Sequence, residues 1–135
     1  MNSPASAEES EHALGKPTIL MVEDEILVRL IAAEDLRTQG FRVIEAADAH
    51  EALTIVEAVA RIDLVVTDVK MPGTLDGLGL ARVLRLSHPH LKIVVVSGEK
   101  LDADAAAVAD MVFAKPYDGP RLVRAIRDLI GQEAP

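Results

Sequence analysis

Asp68 closes an apolar stretch, Ile62–Thr67, and four other polar groups recur at the same kind of place. Glu23 and Asp24 follow Thr18–Val22, Ser97 follows Leu91–Val96, and Lys115 follows Met111–Ala114. Carboxylates, a hydroxyl and an amine are the groups needed to hold a divalent metal ion and to move a phosphoryl group. Mg²⁺ takes about six oxygen ligands, keeps several waters, and suits one or two carboxylates plus a phosphoryl oxygen. Asp24 and Asp68 are the candidate direct ligands, with Glu23 acting directly or through water. A carboxylate can also be a nucleophile and form an aspartyl phosphate. Asp68 is the candidate, because it lies between the other acids and Lys115. Attack by an anion on an anionic donor needs charge compensation, which a metal ion and the Lys115 ammonium would supply. Ser97 can donate to a phosphoryl oxygen, and Gly98 beside it leaves space for approach.

These residues meet only if the stretches before them are neighbouring parallel strands. In an open parallel sheet the strand carboxyl ends share one edge, and ligands bind in the crevice there. The pattern supports that arrangement. Thr18–Glu23 is a continuous apolar run, as a strand buried on both faces should be. Glu25–Thr38 is predicted helical, with Ile26, Leu27, Leu30, Ile31 and Ala33 on one broad apolar face, and Gly40 ends it. Phe41–Ala46 is a short strand whose Arg42 and Glu45 suggest a sheet edge. Asp48 and Glu51 have capping-box spacing and open a helix that buries Ala52, Ile55, Val56 and Val59. Ile62–Asp68 is again an apolar strand. Asp76–Leu86 is a helix with Leu80, Val83 and Leu84 inward, ended before Pro89. Leu91–Ser97 is a strand, Leu101–Val108 a short Ala-rich helix, and Met111–Ala114 a strand. Asp118–Ile130 is a helix with Pro120 early and Leu122, Ala125, Ile126 and Leu129 inward. Alternating strands and helices imply an α/β fold, a three-layer sandwich around a five-stranded parallel sheet.

Composition bounds the rest. The 135 residues are 50% hydrophobic, enough for one domain with a real core. A net charge of −8 argues against a nucleic-acid or anionic-membrane surface. No apolar run approaches the roughly 20 residues of a membrane span, and the N-terminus lacks a signal-peptide core. There is no cysteine, hence no disulfide and no thiolate metal site. Cytoplasmic residence is expected. Residues 1–16 lack apolar periodicity and read as a disordered tail, 17–131 as the folded domain, and 132–135 as a short C-terminal tail.

Each candidate also has a plainer role open to it. Asp24 and Asp118 could cap helices, Asp68 could be a turn residue before Pro72-Gly73, and Lys115 could be a surface lysine. Met21 and Met111 suit a core. His88 and His90 flank Pro89 in a polar turn with no third metal ligand nearby, and His50 lies on a helix surface. The joint pattern favours the site over the sum of the plainer roles.

At this point the chain resembles the receiver domain of bacterial two-component response regulators. The residues that carry the resemblance are Ile19-Leu20-Met21-Val22-Glu23-Asp24-Glu25, Asp68-Val69-Lys70-Met71-Pro72-Gly73 with Asp76-Gly77, Val96-Ser97-Gly98, and Lys115-Pro116-Tyr117. The resemblance implies sheet order 2-1-3-4-5 and a cis peptide at Lys115-Pro116. It implies that Asp68 accepts phosphate from the phosphohistidine of a histidine kinase or a histidine phosphotransfer protein. It further implies an Mg²⁺ site from Glu23, Asp24, Asp68 and the backbone carbonyl of Lys70, with Ser97 and Lys115 on the phosphoryl group. Such a protein is a cytoplasmic signalling module, a monomer or weak homodimer, and catalyses only its own phosphorylation and dephosphorylation.

The chain departs from the family pattern in places. Thr74-Leu75 lengthens the loop before Asp76 by one residue. The family usually carries Tyr or Phe three residues before the lysine, where this chain has Val112; Phe113 falls on the opposite strand face. The segment between Ser97 and Lys115 is about four residues short, which weakens the fourth helix and the usual switch. Lys70 and Glu99 flank the expected path of an attacking water and are a candidate gating ion pair. With only a few residues after the last helix, a stand-alone receiver is expected, acting as phosphate shuttle, as sink, or by partner contact. Two rivals are a non-phosphorylated adaptor and a haloacid-dehalogenase-like phosphatase. The second normally needs another Asp two residues after the nucleophile, where this chain has Lys70.

Overall fold

The computed structural model describes residues 16–71, 73–98 and 103–131. Residues 1–15 of the predicted tail at 1–16, the predicted tail at 132–135, Leu101 at the start of the fourth helix, and the Glu99 half of the predicted ion pair lie outside them. The elements alternate without exception: β1 (Thr18–Val22), α1 (Ile26–Thr38), β2 (Arg42–Ala46), α2 (Ala49–Ala58), β3 (Leu64–Asp68), α3 (Gly77–Ser87), β4 (Lys92–Ser97), α4 (Ala103–Val108), β5 (Met111–Ala114) and α5 (Gly119–Leu129). The strands form one parallel sheet in the order β2-β1-β3-β4-β5, as the resemblance implied. β2 is an edge strand, as its Arg42 and Glu45 suggested.

Two apolar layers sandwich the sheet, and strand alternation assigns each side chain to one of them. Leu20 and Val22 of β1 face a cluster with Ala52 and Val56 of α2, Leu80 and Leu84 of α3, and Ala105 of α4. Ile19 and Met21 face the other way, onto Ala33 and Leu36 of α1 and Leu122 and Ile126 of α5. In β5 the same alternation sends Val112 to the first layer and Phe113 to the second. Removing a fully buried leucine such as Leu84 would cost about 2–5 kcal/mol, from lost transfer energy and the cavity left behind.

The apolar face predicted for α1 is wrong except at Ala33. Ile26, Leu27, Leu30 and Ile31 are 60, 70, 44 and 65% exposed, while Ala32, Ala33 and Leu36 pack on the sheet. The first two turns read Ile-Leu-Val-Arg-Leu-Ile-Ala-Ala, apolar nearly all round, so periodicity could not select a face. Small Ala32 and Ala33 fill the side nearest the strands, and the branched residues are left outside. Val83 of α3 is likewise 39% exposed, and Ala81 takes the inward place beside Leu80 and Leu84.

Local chemistry explains the boundaries. Gly40 adopts φ +95°, a left-handed conformation that favours glycine and ends α1. The Asp48 side chain accepts from the Glu51 N–H at 2.8 Å, while Glu51 reaches back to the Ala47 N–H at 2.9 Å. Asp76 caps α3 by accepting from the Gly79 N–H at 2.8 Å. Gly77 follows because a Cβ there would lie 1.6 Å from the Asp68 carbonyl oxygen, so only glycine lets α3 start against the end of β3. The Lys115-Pro116 peptide is cis, as expected. Among the described residues, no helix is long and apolar enough to cross a membrane.

Candidate functional site

Parallel pairing brings the ends of β1 and β3 side by side, with Val22 opposite Thr67 in register. The residues just beyond meet at the sheet's carboxyl edge. Glu23, Asp24 and Asp68 each offer a carboxylate oxygen, and these oxygens all lie within 4.8 Å of one another. Glu23 is buried, Asp68 half-buried and Asp24 exposed. Lys115, just past β5, sends its Nζ to Asp68 Oδ2 at 2.6 Å and to Glu23 Oε1 at 3.1 Å. One of the plainer roles does not hold and another holds by position only. The cap of α1 is Glu25 rather than Asp24, whereas Asp118 does stand at the N-cap of α5, its carbonyl accepting from the Leu122 N–H at 3.0 Å, but without a side-chain hydrogen bond to the helix.

Ser97 ends β4, beside Ala114 in register and nearly buried. Its carbonyl accepts from the Lys115 N–H at 2.7 Å, which fixes where the lysine leaves β5. The Lys70 N–H donates to Asp68 Oδ1 at 3.2 Å, so the loop after β3 turns back over the carboxylate.

Electrostatics make the site hungry for cations. Two unit charges 4.8 Å apart repel by roughly 3 kcal/mol at an effective dielectric of about 20. Among the described residues, the Lys115 ammonium contacts two of the three carboxylates, Glu23 and Asp68, so the cluster keeps a negative surplus that suits a divalent ion. Burial pushes the Glu23 carboxyl above its ordinary range; a hydrogen bond with Asp24 adds to this, and the Glu25 N–H and Lys115 only partly offset it. Burial disfavours the Lys115 ammonium, but hydrogen bonds and charge from Asp68 and Glu23 outweigh it and raise the lysine above its usual value. The all-oxygen donor set, with one solvent-facing member, fits a hard cation such as Mg²⁺ that keeps several waters.

Two neighbours escaped sequence reasoning. Tyr117 lines a small cavity together with Glu23, Asp68 and Lys115, and burial raises its phenol above the usual value. Arg29 donates from Nη1 to the Glu23 carbonyl oxygen at 2.8 Å. Its signal was available: it stands at the head of an i, i+3, i+4, i+7 series with Ala32, Ala33 and Leu36, on the inward side of α1. A larger cleft of about 880 Å³ lies between α1 and α5 and shares no residue with the acidic site.

Comparison with known proteins gives one consistent result. A family model described as the response regulator receiver domain matches residues 19–127. The sensor kinase CckA of Brucella abortus is 39% identical over 124 residues, covering 88% of this chain but 13% of that protein. Another curated relative is matched over 49% of its length, so the chain spans about half or less of these two proteins. A response regulator receiver protein from Sinorhizobium medicae superposes with a TM-score of 0.78 at 30% identity, covering 87% of this chain and 97% of that one. The response regulator TrrA of Thermotoga maritima, solved with Mg²⁺ and BeF, superposes with a TM-score of 0.78 at 27% identity, covering 84% and 98%.

Proposed function

This chain belongs to the response regulator receiver domain family, and from that premise we propose that Asp68 is the phosphoacceptor of a histidine-to-aspartate relay. An Asp68 oxygen attacks the phosphorus of a donor phosphohistidine. The P–O bond forms as the P–N bond breaks, and the electron pair returns to the imidazole nitrogen. Glu23, Asp24, Asp68 and the Lys70 carbonyl would hold Mg²⁺, which supplies charge neutralisation between the acids and the incoming phosphoryl group. Lys115 already contacts Asp68 and keeps its ammonium charged, ready to pair with a phosphoryl oxygen. Ser97, at the neighbouring strand end, donates its hydroxyl to another. The carrying observation is the constellation itself: three carboxylates within 4.8 Å and an ammonium 2.6 Å from Asp68, all at one sheet edge. The structure solved for the Thermotoga relative with Mg²⁺ and BeF supports the same chemistry here.

The donor is a histidine kinase or histidine phosphotransfer protein, and the exposed start of α1 gives it a place to bind. Ile26, Leu27, Leu30 and Ile31 follow directly on Glu23 and Asp24, so an apolar helical partner seated there brings its phosphohistidine to Asp68. The domain is residues 17–131, cytoplasmic and monomeric or weakly dimeric, and its only catalysis is its own phosphorylation and dephosphorylation. The test is phosphoryl transfer from a phosphorylated histidine protein compared with acetyl phosphate. Leu27→Ser with Ile31→Ser is expected to slow transfer from the protein donor and leave acetyl phosphate labelling unchanged. Equal rates from both donors would remove α1 from the docking surface.

A further inference from the structure

Arg29 lies on the sheet-facing stripe of α1, where a helix on a core is normally apolar. Its side chain is only 14% exposed, and its fork is used in two directions. Nη1 donates to the Glu23 carbonyl oxygen at 2.8 Å, and Nε donates to Glu45 Oε1 at 3.3 Å. Glu45, on β2, is braced in turn through Oε2 by Arg37 Nη2 at 3.1 Å. The same Arg37 nitrogen donates to the Val43 carbonyl at 3.0 Å. The Glu23 N–H donates to the Ala46 carbonyl at 3.1 Å. The main chain of Glu23 is thus held on one side by β2 and on the other by Arg29. The gripped carbonyl belongs to the peptide that joins Glu23 to Asp24, so its rotation would swing the exposed Asp24 carboxylate away from Glu23 and Asp68.

We propose that Arg29, braced by Glu45, is a positioning residue that fixes the Glu23–Asp24 peptide and keeps the three carboxylates at metal-binding separation. This rests on the reading of those carboxylates as an Mg²⁺ site. The role needs a planar fork: the point charge of a lysine cannot serve the carbonyl and Glu45 in the same geometry. Charge and position have opposite signs here. A guanidinium beside the acids repels a divalent cation, so an arginine acting only through its field would weaken Mg²⁺ binding, and its removal would tighten it.

The experiment is an Mg²⁺ titration of the full chain, well below the melting temperature, read by fluorescence of Tyr117, the single tyrosine, and by the Glu23 and Asp24 amide resonances. Arg29→Lys keeps the charge and loses the fork; Mg²⁺ affinity is expected to fall about tenfold, the scale seen when groups that orient metal ligands are removed. Arg29→Gln should also weaken binding despite losing a positive charge. Glu45→Gln, which leaves Arg29 in place, should give a smaller loss that persists at high salt, where a loss from the missing charge alone would be screened, and it carries the test if the Arg29 variants fail to fold. Wild-type affinity in Arg29→Lys and Glu45→Gln, or tighter binding in Arg29→Gln, overturns the positioning role alone. A wild-type protein that binds no Mg²⁺ overturns the metal site and this proposal together.

Discussion

Lys115 sits in the middle of the site's charge balance, 2.6 Å from Asp68 and 3.1 Å from Glu23. It satisfies two of the carboxylates and leaves Asp24 as the exposed member of the cluster. Asp24 would therefore be the solvent-side ligand of a cation held by the cluster, and a hard cation such as Mg²⁺ usually keeps several waters. Because Mg²⁺ would bind the folded chain and not the unfolded one, it should raise the melting temperature, with the stabilisation growing as the logarithm of its concentration above the dissociation constant. Asp24→Ala is expected to abolish that rise while folding normally, since the residue is exposed and caps no helix. Thermal melts with and without Mg²⁺ check this; an unchanged response in the variant would remove Asp24 from the metal site. The candidate acids were legible from sequence because strand ends are marked by the switch from apolar to charged residues. Arg29 stood on the inward stripe of α1 and Tyr117 in the Lys115-Pro116-Tyr117 run, but what each touches was not legible, since those contacts run across elements that spacing along the chain does not encode.

The short fourth helix is an element that needs outside support. α4 has six residues, too few to be stable alone, and α3 supplies an anchor for the segment that follows it. Arg85 of α3 donates from Nε and Nη2 to the Val108 carbonyl, at 3.1 and 2.9 Å. Its Nη2 also meets Asp110 Oδ2 at 2.8 Å, and that oxygen accepts from the Ile93 N–H. Burial works against the charged form of Asp110, but Arg85, the Ile93 N–H and Lys92 outweigh it and hold the carboxyl below its ordinary value. The folded-state pKa is depressed, so the stabilisation is present above the unfolded value of about 4 and is lost as pH falls through the folded one. Asp110→Asn should lower stability near neutral pH, by on the order of 1 kcal/mol for the ion pair, and flatten the loss below about pH 4. Urea melts across that range check it, and parallel pH curves for the two proteins would contradict it. Element identity and order were legible throughout, since capping residues and glycines punctuate a strict alternation. The exposed face of α1 was not, because an all-round apolar run hides its orientation until the sheet selects the small alanines.

At the scale of the whole molecule, the proposed function would need the site on one edge to be coupled to a surface that a partner reads. Val112 packs into the layer shared by α2, α3 and α4, and Phe113 turns to the opposite layer, so no aromatic ring of β5 stands on the α4 side. Loading the site with beryllofluoride is expected to shift the amides around Asp68 and Lys115 strongly and those of residues 103–127 weakly. Large, concerted shifts across 103–127 would show a different route of coupling. The central claim concerns Asp68 itself. The most direct measurement is the intact mass of the wild-type chain and of Asp68→Asn after incubation with acetyl phosphate and Mg²⁺. One phosphoryl group on the wild type and none on the variant is the predicted result; equal labelling of Asp68→Asn, or no labelling of the wild type, would contradict it.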